Sequence, residues 1–286
     1  MDAVHGFLLE DLDIRGALVQ LGPSWAAIAA RRNYAAPVRD LLGELAAVTA
    51  LIGSKLKTPG RLSFQVQGHG PVSMLVMDCN EQLHLRGMAK SELAADAEAH
   101  VGGVADLLGD GRLVLTLQPQ SAQTPYQSVV PLLGNTLATI FEHYLAQSEQ
   151  QPARLWLAAT ADTACGLFLQ KLPNADLRDA DGWNRIEQLA ATVRPEELAL
   201  PPEILLTRLF AEETVRLYPA RQAAWHCPRD EEKVRNLLLS LGREEVEAML
   251  ADAEMIAIED EICGHEYRFG PEIVDELFPP AGRILH

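Results

Sequence analysis

The longest regular pattern in the chain runs through "PVRDLLGELAAVTALIGSKL", where Leu41, Leu42, Leu45, Val48, Leu51 and Ile52 recur on one broad helical face. Apolar residues spaced three and four apart line one side of a helix of 3.6 residues per turn, so this stretch predicts a long, half-buried helix with Pro37 at its first position. Downstream the period changes. "RLSFQVQ", "VSMLVMD" and "EQLHLRGMA" are alternating or β-branched, and the glycines of "GHGP" punctuate them. Together they predict strands joined by tight turns in an antiparallel meander. "GDGRLVLTLQP" repeats the form with a hairpin turn expected at Asp110-Gly111. Asn135 is placed to cap a second helix over "TLATIFEHYLAQS", and "ARLWLAAT" and "GLFLQKLP" read as two further strands.

At "PNADLRDADGWN" the pattern gives way to polar and turn-forming residues, which sets a boundary near Pro173. Between Trp183 and Phe210 short amphipathic stretches are interrupted by Pro195, Pro201 and Pro202, each of which tends to stop a helix just before it. After this connector "TVRLYP" and "QAAWHC" suggest a hairpin. Pro228 is expected to start a helix through "DEEKVRNLLLSLG", with "REEVEAMLADA" and "PEIVDELF" as further helices. The expected fold is therefore α+β: an antiparallel-sheet core domain with a long helix over residues 1–173, a helical linker over 174–222, and a small C-terminal α/β module over 223–286. A module of about 60 residues usually needs a metal, a disulfide or a partner to be stable.

Composition narrows the class of protein. Among the 286 residues, 48% are apolar and 22% charged, ordinary for a soluble globular chain, and no apolar run approaches the ~20 residues of a membrane span. The first residues carry acids at Asp2, Glu10, Asp11 and Asp13 and lack the basic and apolar regions of an export signal, so a cytoplasmic location is expected. The formal charge of −16 is uneven: Glu244 to Phe278 holds 12 acids against the single base Arg268, leaving −5 over the rest. Nucleic-acid binders need clustered Lys and Arg to displace counterions, so no nucleic-acid partner is expected. Charge of one sign also opposes compaction, which places this segment near the edge of stability.

The chain has no G-x-S-x-G, H-E-x-x-H or G-x-x-x-x-G-K-[ST], so neither an enzyme nor a nucleotide cofactor is expected. His69, His84, His100 and His143 are scattered without a carboxylate or cysteine at ligand spacing, and Cys79 and Cys165 border apolar runs as small buried hydrophobes would. Cys227 in "AWHCPRDEEK" and Cys263 in "DEICGHEYRF" each lie near a histidine. Structural zinc takes four N or S ligands, usually in two close pairs. Here each stretch supplies one thiolate, and Asp260 and His265 are the candidates for the missing ligands, so zinc is weakly supported by spacing alone.

These pieces, in their order, resemble the 33 kDa chaperonin family of oxidation-activated bacterial holdases. "FQVQGHGPVSMLVMD" followed by "LRGMA" is similar to its strand, glycine-turn, strand and Arg-Gly pattern, and "GDGRLVLTL" to its next hairpin. "GNTLATIFEHYLAQSEQQPARLWL" is similar to its signature helix, with Ser148, Glu149, Gln150 and Pro152 matching, and "LLTRLFAEETVRLYP" falls where the family has its last linker helix. The resemblance implies an ATP-independent holdase that binds unfolding client proteins, works as a homodimer, and engages clients through apolar surface that includes the connector. Ile186, Leu189, Val193, Leu198, Ile204, Leu205 and Leu209 are the candidate client-binding residues. The alternatives are a non-chaperone binding module on the same scaffold and an enzyme with an unrecognised site.

The resemblance also exposes a departure. The family's metal domain carries Cys-x-Cys and later Cys-x-x-Cys around zinc, whereas here the four positions hold Cys227, Arg229, Asp260 and Cys263. Redox switching is therefore expected to be weakened or lost. Two outcomes stand open: a two-thiolate zinc site completed by Asp260 or His265, or a metal-free module with Arg229 paired to Asp260. In the second, Cys227 and Cys263 can join as a disulfide if their Cα atoms lie within about 7 Å.

Overall fold

In a computed structural model describing residues 2–56, 58–96, 103–122 and 124–279, the chain opens with two strands that the hydrophobic pattern did not single out. These are β1 (Ala3–Leu9) and β2 (Ile14–Leu21), antiparallel from Ala3↔Gln20 to Leu9↔Ile14. After α1 (Pro23–Ala29) comes the predicted long helix, α2 (Ala36–Gly53), with Pro37 at its second position. β3 (Gly60–Gln67), β4 (Val72–Asn80) and β5 (His84–Ser91) form the expected meander. His100 lies outside the described residues.

Two local expectations are corrected here. α3 (Val104–Leu108) precedes Asp110-Gly111, so that dipeptide joins a helix to β6 (Arg112–Pro119) instead of turning a hairpin. β6 pairs with β3 on one side and with β7 (Tyr126–Pro131) on the other. α4 (Leu137–Glu149) is capped by Thr136, whose hydroxyl accepts the Thr139 N–H at 3.1 Å, one residue beyond Asn135. β8 (Ala153–Ala159) and β9 (Ala164–Lys171) follow.

The connector consists of α5 (Ala175–Arg178), α6 (Gly182–Ala190), a 3-10 turn (Pro195–Ala199) and α7 (Pro202–Leu209). Its prolines fall at helix starts, where a missing N–H costs nothing. The expected hairpin after it does not form. β10 (Val215–Leu217) and β11 (Arg221–Gln222) both extend the free edge of β1, and β12 (Ala224–Trp225) runs parallel to β5. Each edge was already laid down by the first part of the chain.

One sheet has the order β10-β1-β2-β9-β8 with β11 also on β1, and the other the order β12-β5-β4-β3-β6-β7. α2 packs against strands of both sheets, and its buried face joins them in the main core, where Phe64 meets Phe141 edge-on at 4.9 Å. Internal contacts divide the chain into Met1–His226 and Cys227–His286, with the connector in the first unit. The second unit holds α8 (Glu231–Leu241), α9 (Arg243–Asp252), β13 (Ile256–Asp260), β14 (His265–Phe269) and α10 (Glu272–Leu277). α8 begins after Asp230, which caps it by accepting the Lys233 N–H at 3.0 Å, and not at Pro228. Among the described residues no helix is long and apolar enough to cross a membrane.

One group in the main core is out of balance. Lys55, just past the end of α2, has a partly accessible stem, but its Nζ is cut off from solvent without a hydrogen-bond partner, 3.7 Å from the centre of the Phe168 ring. The ring face offsets part of the lost hydration. Burial still lowers the ammonium pKa from 10.5 to about 8. Because the folded pKa lies below the unfolded one, the penalty is fully present below pH 8 and fades as pH rises toward 10.5. Lys55→Met should therefore raise thermal stability at pH 7 by a few degrees, corresponding to roughly 2–3 kcal/mol at most. Scanning calorimetry at pH 7 and pH 9.5 checks this, since the variant's advantage should shrink at the higher pH.

Candidate functional site

In β2, β9 and β1 the alternation of side chains divides apolar residues between two separate clusters. Ala17, Val19 and Leu21 of β2, with Ala164 and Phe168 of β9, point into the main core beside α2. Their neighbours Ile14, Leu18, Leu167 and Leu169, together with Phe7 and Leu9 of β1, point to the opposite face. Successive side chains of a strand face opposite ways, so this sheet has no polar face to give to water. Its outer face is covered by α6, the 3-10 turn and α7.

Four of the candidate client-binding residues lie in this second cluster: Ile186, Leu198, Leu205 and Leu209 are buried, and Val193 packs against them. Leu189 and Ile204 face outward, 37% and 55% exposed. Sequence reasoning named the cover and missed what lies under it. Phe7, Leu9 and Leu18 belong to strands whose doubly apolar pattern lacks the alternation that marks a half-buried strand.

The cover is also held by polar contacts. Arg154 on β8 donates through Nε to Glu187 on α6 at 2.7 Å and lies 3.9 Å from Glu142 on α4. Burial raises the Glu142 carboxyl above its ordinary pKa, opposed by the Leu155 N–H that it accepts at 2.7 Å. Beneath the cover Cys165 is buried, and burial pushes its thiol up to about 11; Cys79, in the main core, is pushed up to about 12. Both thiols are therefore protonated at neutral pH.

The second cysteine pair lies in the C-terminal unit. The β13–β14 hairpin turns through Gly264, which takes the left-handed conformation at φ +61°, and its N–H bonds the Asp260 carbonyl at 2.6 Å. Cys263 sits in that turn. Cys227 lies just before α8, and the two form a disulfide with Cα atoms 6.1 Å apart. His265 completes a group whose candidate ligand atoms lie within 4.8 Å of one another.

The donor set does not fit the family's four-ligand zinc site. The sulfurs are bonded to each other, and His265 Nε2 donates to the Cys227 carbonyl at 2.7 Å. The Asp260 carboxylate accepts the N–H groups of Ile262 and Cys263 at 2.9 and 3.1 Å. Arg229 does not pair with Asp260, as the metal-free alternative expected. Its guanidinium donates to the Glu266 carbonyl and lies 4.8 Å from the centre of the Tyr267 ring. A fixed cation thus occupies the position of a second thiolate, and a cation repels a metal ion.

With a small buried core that includes Leu238, Val246 and Tyr267, this unit depends on its staple. The crosslink spans 36 residues, and opening such a loop costs roughly 3–4 kcal/mol on the chain-entropy account. Dithiothreitol, or Cys227→Ser, should therefore speed limited proteolysis within residues 227–279 at least tenfold. The effect should be larger at low salt, where the acids repel one another most. Equal cleavage rates with and without reductant would show that the staple contributes nothing.

Comparison with known proteins agrees with this architecture. The model of the Hsp33 protein family matches residues 2–270. The chain is similar to the 33 kDa chaperonin of Methylobacillus flagellatus, 39% identical over 97% of this chain and 94% of that one. It is also similar to that of Vibrio cholerae, 37% identical over 99% and 98%. The crystal structure of a 33 kDa chaperonin from Thermotoga maritima superposes with a TM-score of 0.81 at 22% identity, covering 97% of this chain and 98% of that one, which shows a shared fold. A match over nearly the full length, in sequence and in architecture, means that this chain belongs to the Hsp33 family of 33 kDa chaperonins.

Proposed function

We propose that this chain is an ATP-independent holdase that receives unfolding proteins on the outer face of its first sheet, with the connector over 183–210 as the removable cover. The observation that carries this reading is the division of β1, β2 and β9 into two apolar faces, one of them covered only by short, proline-separated helices. Short helices with few long-range ties open at lower free energy than sheet strands, so they can leave without unfolding the core. Ile186, Leu198, Leu205 and Leu209, uncovered on the departing segment, add to the apolar surface offered to a client. The same proposal takes unfolding proteins and a second copy of the chain as partners and the cytoplasm as compartment.

The redox element of the proposal is reduced in scope. In a four-thiolate module oxidation removes ligands from a metal and dismantles the fold. Here oxidation closes one disulfide that ties the hairpin turn to the start of α8, so it consolidates the module. Reduced and peroxide-treated protein should therefore differ little in holdase activity, and heat that loosens the connector should be the stronger trigger. Light scattering of a thermally unfolding client, with zinc analysis of the reduced protein, tests both parts. Suppression at stoichiometric amounts without nucleotide, changed less than twofold by peroxide, is expected. Near-stoichiometric zinc released by peroxide, with a large gain in activity, would overturn the redox part. Absence of suppression under every condition would overturn the holdase reading.

A further inference from the structure

The outer face of the first sheet carries a buried polar contact where apolar packing is incomplete. Gln20 on β2 is paired across the sheet with Cys165 on β9, and Leu18 is the next residue of its strand on the same face. Its amide nitrogen donates to the Leu198 carbonyl at 2.8 Å and to the Leu200 carbonyl at 2.6 Å, at the end of the connector's 3-10 turn. The sequence explains why an outside donor is needed. The third and fourth residues after Leu198 are Pro201 and Pro202, neither of which has an N–H, so no helical bond can satisfy that carbonyl. A buried carbonyl left without a donor is costly. Beside the contact lies a cavity of about 420 Å³ lined by His5, Cys165, Pro201, Pro202 and Glu203, so side-chain packing does little to hold the connector at this point.

We infer that Gln20 is a latch: a positioning residue whose two amide N–H groups hold the Leu198–Leu200 segment on the sheet and so set how readily the connector leaves. The inference rests on the reading that connector release exposes the client face. Gln20 has no other described task in the fold, and the proline pair that deprives Leu198 of a local donor makes the segment dependent on it.

Gln20→Glu keeps the shape, removes both donors and sets a carboxylate against two carbonyl oxygens. Gln20→Leu removes the donors with a side chain suited to an apolar face, and serves if the first variant folds poorly. Hydrogen exchange of residues 195–206 at pH 7.5 should accelerate at least tenfold in both variants, while β3 and β4 keep wild-type protection. The introduced carboxyl separates a latch from a merely structural residue. As pH falls it becomes protonated, its O–H can donate to one carbonyl, and part of the protection returns in Gln20→Glu but not in Gln20→Leu. Wild type is followed over the same range, because His5 and Glu203 on the cavity rim titrate there and the Cys165 thiol does not. Wild-type exchange in both variants, or identical pH profiles for the two, would overturn the latch. Fast exchange without added holdase activity would leave the latch standing and overturn the client-face reading instead.

Discussion

The sheet β10-β1-β2-β9-β8 has apolar side chains on both faces, so it has to be covered twice. The first cover is permanent. α2 and the second sheet bury Val19, Leu21 and Phe168 in a core that includes a helix buried along most of its length. The second cover is a segment of three short helical pieces that supplies four buried side chains and a handful of polar contacts. Each large apolar side chain buried is worth about 1.5–3 kcal/mol, so the cover is favourable, but far less so than the core beneath. That inequality allows one face to open while the rest of the fold stays intact.

The chain's two units answer the same problem of small size differently. The connector lies within the first unit and is held by weak contacts that can be undone one at a time, such as Arg154 with Glu187 and Gln20 with two carbonyls. The C-terminal unit carries its own small core and a high acidic charge, and a covalent bond offsets that repulsion. Arg229, stacked on Tyr267 and bonded to Glu266, fills the space of a lost thiolate with an interaction that needs no metal. The substitutions at positions 229 and 260 thus form one coherent set: a cation over an aromatic ring, and a carboxylate that organises the turn holding Cys263.

Much of this was legible in the sequence wherever one period dominated. α2, the β3–β4–β5 meander and the helices of the C-terminal unit each have one buried side, and their apolar spacing says so. β1 and β2 were missed for the opposite reason: with both faces buried, "HGFLLEDLDIRGALVQL" shows runs instead of alternation. β11 and β12 are two residues long and owe their conformation to strands more than a hundred residues earlier, which no local pattern encodes. The closeness of Cys227 and Cys263 followed from the family resemblance, but the partners of Arg229 and Asp260 did not. Those depend on the tight turn at Gly264, which turns the Asp260 carboxylate toward its own backbone.

The central claim is that clients meet the outer face of the first sheet and not some other apolar part of the surface. A photoreactive diazirine analogue of leucine, isosteric enough to keep the packing, can be placed at Leu18 or Leu167 and, for comparison, at Val129, which is 63% exposed on the second sheet. Illumination during thermal unfolding of a client should give crosslinks from positions 18 and 167 that rise with temperature and little from 129. Crosslinks from 129 alone, with 18 and 167 silent while aggregation is being suppressed, would contradict the account.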